Sequence, residues 1–389
     1  MKIFKIINER LQIFSVIIAL LSVCGCASIT QLANNHSTCF STKWPHERSD
    51  LQPDPSLVFG KLKNGFRYVL KHNQVPQDRV ALYLNVQAGS IHEKKNERGY
   101  AHYLEHMLFN GSTNFPPGEL ISYFQSIGMS FGADTNAYTT YDETVYKIQL
   151  PQGNIESIKK GLIVMSDYAQ GALLLESEVE NERGVIIAEK IARDSVRFRT
   201  SVAKNRIAFD GTLLAERLPI GVENTIKNAN SSALRSFYNN WYRPENMILV
   251  AVGDFEIDKV ESEIISTFAP MAGRDERPQC PDIGELIHDN TQTFYYYEPN
   301  TGSVKVAIES YWNKSGEDDS IVLQLRNLKE YLATSILKKR LDQIANTKEW
   351  FSAPRIFRFS SNNYSRKLAR QSYRSGKHFT TDAQFWYHR

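Results

Sequence analysis

Two imidazoles and a carboxylate stand within five residues at His102-Tyr103-Leu104-Glu105-His106. On an α-helix, residues four apart share a face with their Cβ atoms about 5–6 Å apart. His102 and His106 can therefore aim at one metal ion, and Glu105, three residues beyond His102, can reach a water beside it. This H-x-x-E-H order reverses the H-E-x-x-H zinc helix and is itself a metalloprotease signature. Taken alone, two histidines on one helix face serve packing or the surface as often as a metal. A catalytic zinc takes three protein ligands and keeps a position for water, so a third ligand is needed from another element. The acidic stretch 176–189 is the candidate source. Glu178, Glu182 and Glu189 fall roughly on one helical face there, while Glu176, Glu178 and Glu180 read individually as solvated surface.

The elements that must hold these groups can be read from pattern. Runs at 58–62 and 66–70 flank Asn64-Gly65, a hairpin signal. Residues 80–86 alternate as a third strand, and Gly89-Ser90 breaks the pattern before the motif helix. Helical spacing recurs at 119–127, and strands are expected at 130–139 and 143–150 about a polar turn at Thr140-Tyr141-Asp142. Helices follow at 155–169 and 177–191, the second with early acid that suits the positive end of a helix dipole. A loop through 213–221, a helix at 232–242, a buried strand at 247–255 and a helix at 257–268 close the unit. The order predicts one α+β domain over residues 56–270, a mixed sheet packed by helices in two layers. Proline, glycine and charge mark a linker at 271–290. Residues 291–389 are expected to form an incomplete second domain, with strands at 293–297 and 303–308 and a long helix at 321–344.

Length and charge exclude as well as include. A chain of 389 residues exceeds what one hydrophobic core usually organises. The formal charge is +3, and the first 25 residues carry Lys2, Lys5 and Arg10 against Glu9, so about +1 remains. That leaves no electrostatic case for nucleic acid. Residues 1–25 read as an export signal, with a positive start and an apolar core too short to anchor in a bilayer. Val23-Cys24-Gly25-Cys26 resembles a lipoprotein box, which makes Cys26 the lipidation candidate and 26–55 a tether. Ala27 after it points, by resemblance to sorting rules, to the periplasmic side of an outer membrane; the alternative is a plain cleaved signal. An oxidising compartment would permit Cys39 and Cys280 to pair, although spacing does not establish it.

Several ordered motifs together resemble the pitrilysin/insulinase family of zinc peptidases. They are Ala88-Gly89-Ser90, the H-x-x-E-H segment running on into Met107-Leu108-Phe109-Asn110-Gly111-Ser112, and Phe131 through Tyr138. Arg217-Leu218-Pro219-Ile220-Gly221, Trp241-Tyr242-Arg243-Pro244 and Val252-Gly253-Asp254 continue the likeness over about residues 56–270. The resemblance implies Zn2+ as cofactor, a peptide as substrate and Glu105 as general base. It also implies Glu182, in Glu182-Arg183-Gly184-Val185 and 76 positions after His106, as the third metal ligand. Some relatives carry a supporting Glu seven residues before the ligand; counted from Glu182 that position is Leu175. In relatives a peptide adds as a strand beside an Asn-Ala-aromatic-Thr segment, matched here by Asn136, Ala137 and Tyr138, with Phe109 near the cleaved bond. Core packing is an equal reading for Phe109 and Tyr138. Family members close a chamber from two halves, so the chain, which resembles a truncated front part, is expected to need a second half or a homo-oligomer. The alternative is a catalytically idle binding or scaffold subunit.

Overall fold

The computed structural model describes residues 41, 43–273, 278–287, 293–301, 310–312 and 318–347, with short strand pieces at 357–358, 380–382 and 384–385. A six-stranded sheet organises the N-terminal part. Its strands are β1 (Leu57–Lys61), β2 (Arg67–His72), β3 (Val80–Val86), β4 (Thr135–Thr139), β5 (Thr144–Leu150) and β6 (Met247–Gly253), in the order β1-β2-β6-β3-β5-β4. The strand latest in sequence thus lies near the middle. It runs parallel to β2 and antiparallel to β3, placing Leu249 beside Leu84. β4 forms one edge.

Alternation decides which face is buried. Val80, Leu82, Leu84 and Val86 of β3 are buried, as are Met247, Leu249 and Ala251 of β6 and Tyr146, Ile148 and Leu150 of β5. Pairing of Leu84 with Tyr146 and Leu249 puts them on one side. Helices cover that side. Helix Ile155–Ser166 sits so close that a Cβ on Gly161 would lie 2.7 Å from Leu82, and helix Ile257–Phe268 stacks Phe268 on Phe66 at 4.3 Å. The result is the two-layer α+β arrangement that the pattern predicts.

Some elements differ from the sequence expectation. Strand β4 starts only at Thr135, because Asp134 turns back to accept from the Ser130 N–H and Gly132 takes φ +92. A helix at Val196–Ala208 has no counterpart in the pattern reading; it is capped by Ser195 but carries no apolar stripe, and only Ala208 is buried. Residues 293–298 are irregular rather than a strand. The long helix Ile321–Thr347 leaves Leu325, Leu328, Leu332 and Ile336 about half exposed. Among the described residues no helix is long and apolar enough to cross a membrane. Residues 1–25, Cys26 and the strand expected at 303–308 lie outside the described residues, as does Cys39; Cys280 is disulfide-bonded.

Candidate active site

Three elements converge beside the β4 edge: the motif helix Tyr100–Met107, the acidic helix Glu176–Arg193, and β4 itself. The start of the motif helix is fixed by a buried carboxylate. Glu93 accepts the Gly99 N–H on Oε2 and the Ala101 N–H on Oε1, both at 2.9 Å, satisfying donors that a helix start leaves free. Burial pushes the Glu93 carboxyl up to about 8, against the pull of those two N–H groups and the charge of Arg217. Gly99 takes φ +107, and a Cβ there would lie 3.0 Å from the Cα of Gly221. Two glycines in contact thus let the 217–221 loop press against the helix start.

Buried Tyr103, Leu104 and Met107 hold the other side of the helix, and the Tyr103 hydroxyl donates to the Val179 carbonyl of the acidic helix. Arg183 secures that helix from its far side, donating to the carbonyls of Ile226 and Ala229 and pairing with Glu180. The relative slide of the two helices is set by these contacts.

With the helices so placed, His102 and His106 lie with ring centroids 4.7 Å apart. Their Nε2 atoms are 3.4 and 3.3 Å from one oxygen, Oε2 of Glu189. The candidate ligand atoms of the three residues all lie within 4.8 Å of one another. That Oε2 is buried and makes no hydrogen bond of proper geometry. The other oxygen of Glu189 is occupied by Arg193. An acceptor buried without a donor is costly, and here it faces two imidazole nitrogens that metals favour. Two His and one carboxylate make a recognised catalytic zinc donor set, so these residues fit the ion that the motif implies.

Glu182 is elsewhere. Its Oε1 lies 2.8 Å from His106 Nδ1, the nitrogen turned away from Glu189, and its Oε2 accepts from Asn110 at 2.7 Å. The geometry therefore puts Glu189, not Glu182, among the converging donors. Glu182 has the place of a supporting carboxylate that orients a ligand imidazole. Glu182 stands seven residues before Glu189, the spacing that the resemblance gives for a supporting Glu. Sequence reasoning misses Asn110, Arg193 and Glu189 as members of this cluster; the seven-residue spacing on one helical face is the signal for Glu189.

Charge follows the geometry. His106 is pushed up to about 9: burial opposes its charged form, and the hydrogen bond to Glu182, the nearby Glu189 carboxylate and the charge of Glu105 outweigh it. Interaction with His106 holds Glu189 at about 2 despite partial burial. His102 falls to about 4 through burial and the charge of His106. Glu105 is raised by burial, with the hydrogen bond from Thr139 pulling the other way. Its Oε2 accepts the Thr139 hydroxyl, and Oε1 accepts no hydrogen bond from the described residues.

At the sheet edge, pairing to β5 turns Thr135, Ala137 and Thr139 toward the helices and Asn136 and Tyr138 to the opposite face. Asn136 Oδ1 accepts the Ala137 N–H at 2.9 Å, and the Tyr138 hydroxyl donates to Glu143 at 3.4 Å. Thr140 N–H and the Asp134 carbonyl bond toward β5, so by alternation the backbone groups of Ala137 and Thr139 face outward. Phe109 is buried against Tyr168 and carries exposed Phe131 at 5.2 Å. It is a core residue with one edge toward the surface.

Comparison with known proteins agrees in kind. Residues 68–212 match the family model described as Insulinase (Peptidase family M16), and residues 228–366 match Peptidase M16 inactive domain. "Probable zinc protease PqqL" of Escherichia coli is 39% identical over 206 residues, which is 53% of this chain and 22% of that protein. "Zinc protease PQQL-like" of Arabidopsis thaliana is 30% identical over 293 residues, 75% of this chain and 30% of that one. The chain thus spans between about a fifth and a third of these two relatives. The crystal structure of the first half of the periplasmic protease PqqL from Escherichia coli superposes with a TM-score of 0.70 at 26% identity, covering 87% of this chain and 69% of that one.

Proposed function

Because the chain belongs to the insulinase (M16) family of peptidases, we propose that it carries the metal-binding and proton-transfer groups of a zinc-dependent endopeptidase. The observation that supports this most directly is the convergence of His102 Nε2, His106 Nε2 and the orphaned Oε2 of Glu189. These three residues are the proposed ligands, and Glu182 with Asn110 holds the His106 ring in the tautomer that leaves Nε2 free for metal. A zinc ion held there would polarise the scissile carbonyl and acidify water. Glu105, not needed as a ligand, is placed to accept a proton from the attacking water and return it to the leaving amine nitrogen as the C–N bond breaks. Burial of Glu105 suits this, since a carboxylate whose pKa is raised is the stronger base toward the water proton.

The substrate class is a peptide or an unfolded segment, added as a strand along β4. The Ala137 carbonyl and the backbone groups of Thr139 would bind it independently of side-chain sequence, with Asn136 and Tyr138 lining the far face and Phe109 and Phe131 an apolar wall. A second half, from another chain or a second copy, would close the chamber. Export to the periplasm, with a lipid tether at Cys26, is the localisation that the N-terminal residues support. The domain limits 56–270 and 291–389 are proposed on the same footing.

The test is zinc content and cleavage together. Purified mature protein should bind one zinc and cleave a quenched unstructured peptide in a chelator-sensitive way, while Glu105→Gln keeps the zinc and loses cleavage. Stoichiometric zinc with no cleavage, in the presence of any supplied second half, would leave the scaffold reading in its place.

A further inference from the structure

We propose that Thr139 is the positioning residue for the general base, so that the strand receiving the peptide also sets the carboxylate that works on it. The inference rests on Glu105 being the base and β4 being the peptide edge. Thr139 ends β4, and its register opposite Thr144 turns its side chain to the helix-covered face. There its hydroxyl donates to Glu105 Oε2. A hydroxyl hydrogen bonded to a carboxylate selects one rotamer of that carboxylate and occupies one of its two oxygens. Oε1 is thereby left as the oxygen available for proton transfer.

The backbone of the same residue faces the outer edge, where an added strand would find its N–H and carbonyl. One residue therefore touches both partners of the reaction: the peptide through its main chain and the base through its side chain. A one-residue slip of the bound strand would move the peptide relative to Thr139, and hence relative to Glu105, by about 3.3 Å. Thr139 thus ties the register of the peptide to the location of the base. Among the β4 residues on that face, Ala137 has no polar side-chain atom and Thr135 is buried with its hydroxyl unpartnered. No other hydrogen bond to the Glu105 side chain joins the described residues.

The experiment compares Thr139→Val, which keeps the β-branched shape and removes the hydroxyl, with Thr139→Ser, which keeps the hydroxyl. Thr139→Val should lower kcat by about tenfold to a hundredfold with KM within twofold, and with zinc content and melting temperature unchanged. Thr139→Ser should restore most of kcat. Crystals of Thr139→Val should show Glu105 off its wild-type rotamer, and crystals of Thr139→Ser should show it restored. A Thr139→Val enzyme with wild-type kcat, with a change confined to KM, or with zinc lost would overturn the inference. Should wild-type protein bind zinc and cleave nothing, the peptidase reading fails separately. An unmoved Glu105 in Thr139→Val crystals would then still refute the positioning role, and a displaced one would support it.

Discussion

The sharpest prediction sets Glu189 against Glu182. Glu189→Gln removes the charge from the oxygen that lies 3.3–3.4 Å from both Nε2 atoms, and Glu182→Gln removes it from the group on His106 Nδ1. A four-ligand structural zinc site binds with about 10–16 kcal/mol, so an even share is about 2.5–4 kcal/mol per ligand. Loss of Glu189 should then weaken zinc by about two to three orders of magnitude. Loss of an orienting carboxylate typically costs about 10- to 100-fold, and Asn110 would remain to hold part of the Glu182 site. The assay is competition with a chromophoric zinc chelator at fixed pH, repeated with cobalt to read coordination from its visible spectrum. Glu182→Gln should keep a four-coordinate cobalt spectrum at saturation, and Glu189→Gln should lose it. If Glu182→Gln weakens zinc more than Glu189→Gln, or if Glu189→Gln binds like wild type, the assignment of the third ligand is wrong.

Other outcomes follow from the same geometry. The folded carboxyl of Glu93 sits at about 8, above the ordinary value of 4.5, so the folded state holds a proton that the unfolded chain gives up. Its contribution to stability is full below about 4.5 and is lost as pH rises to about 8; denaturant melts across that window should show this fall in wild type and not in Glu93→Gln. Phe109→Ala should cost about 3–5 kcal/mol of unfolding free energy, whereas exposed Phe131→Ala should leave stability nearly intact and raise KM. Ala137→Pro should also raise KM while the protein stays folded, since the Ala137 N–H bonds Asn136 Oδ1 and not β5, proline is tolerated at such an edge position, and its ring there blocks an added strand.

Most of the sheet was legible because its information is local. Alternation in residues 80–86 and 247–253 needs only the period of a strand against a buried face, and Asn64-Gly65 names its own turn. The strand order was not legible. Placing β6 between β2 and β3 depends on pairing Ile248 with Arg67 and with Asn85, contacts across more than 150 residues that no window contains. The helix Val196–Ala208 escaped because it buries almost nothing: with Arg197, Arg199, Lys204 and Arg206 spread around it, no apolar stripe marks a period. The Ser195 cap was its single local signal.

The two histidines and Glu105 were legible for the same reason as the strands, since one helical turn fixes their mutual placement. The proposed third ligand was not, and helix geometry says why. Glu182 and Glu189 are seven residues apart, so they share a face yet stand about 10.5 Å apart along the axis. Histidines one turn apart offer a single metal position, and that position can meet only one of the two glutamates as a ligand. Which one depends on how far the acidic helix has slid past the motif helix. That slide is set by the Tyr103 hydroxyl on the Val179 carbonyl and by Arg183 anchored in the carbonyls of Ile226 and Ala229. A shift by two turns would bring Glu182 to the place of Glu189 and Leu175 to the place of Glu182 without altering either helix. Face-sharing in sequence therefore narrows the candidates to Glu178, Glu182 and Glu189, and only tertiary packing between separate elements brings Glu189 to the two histidines.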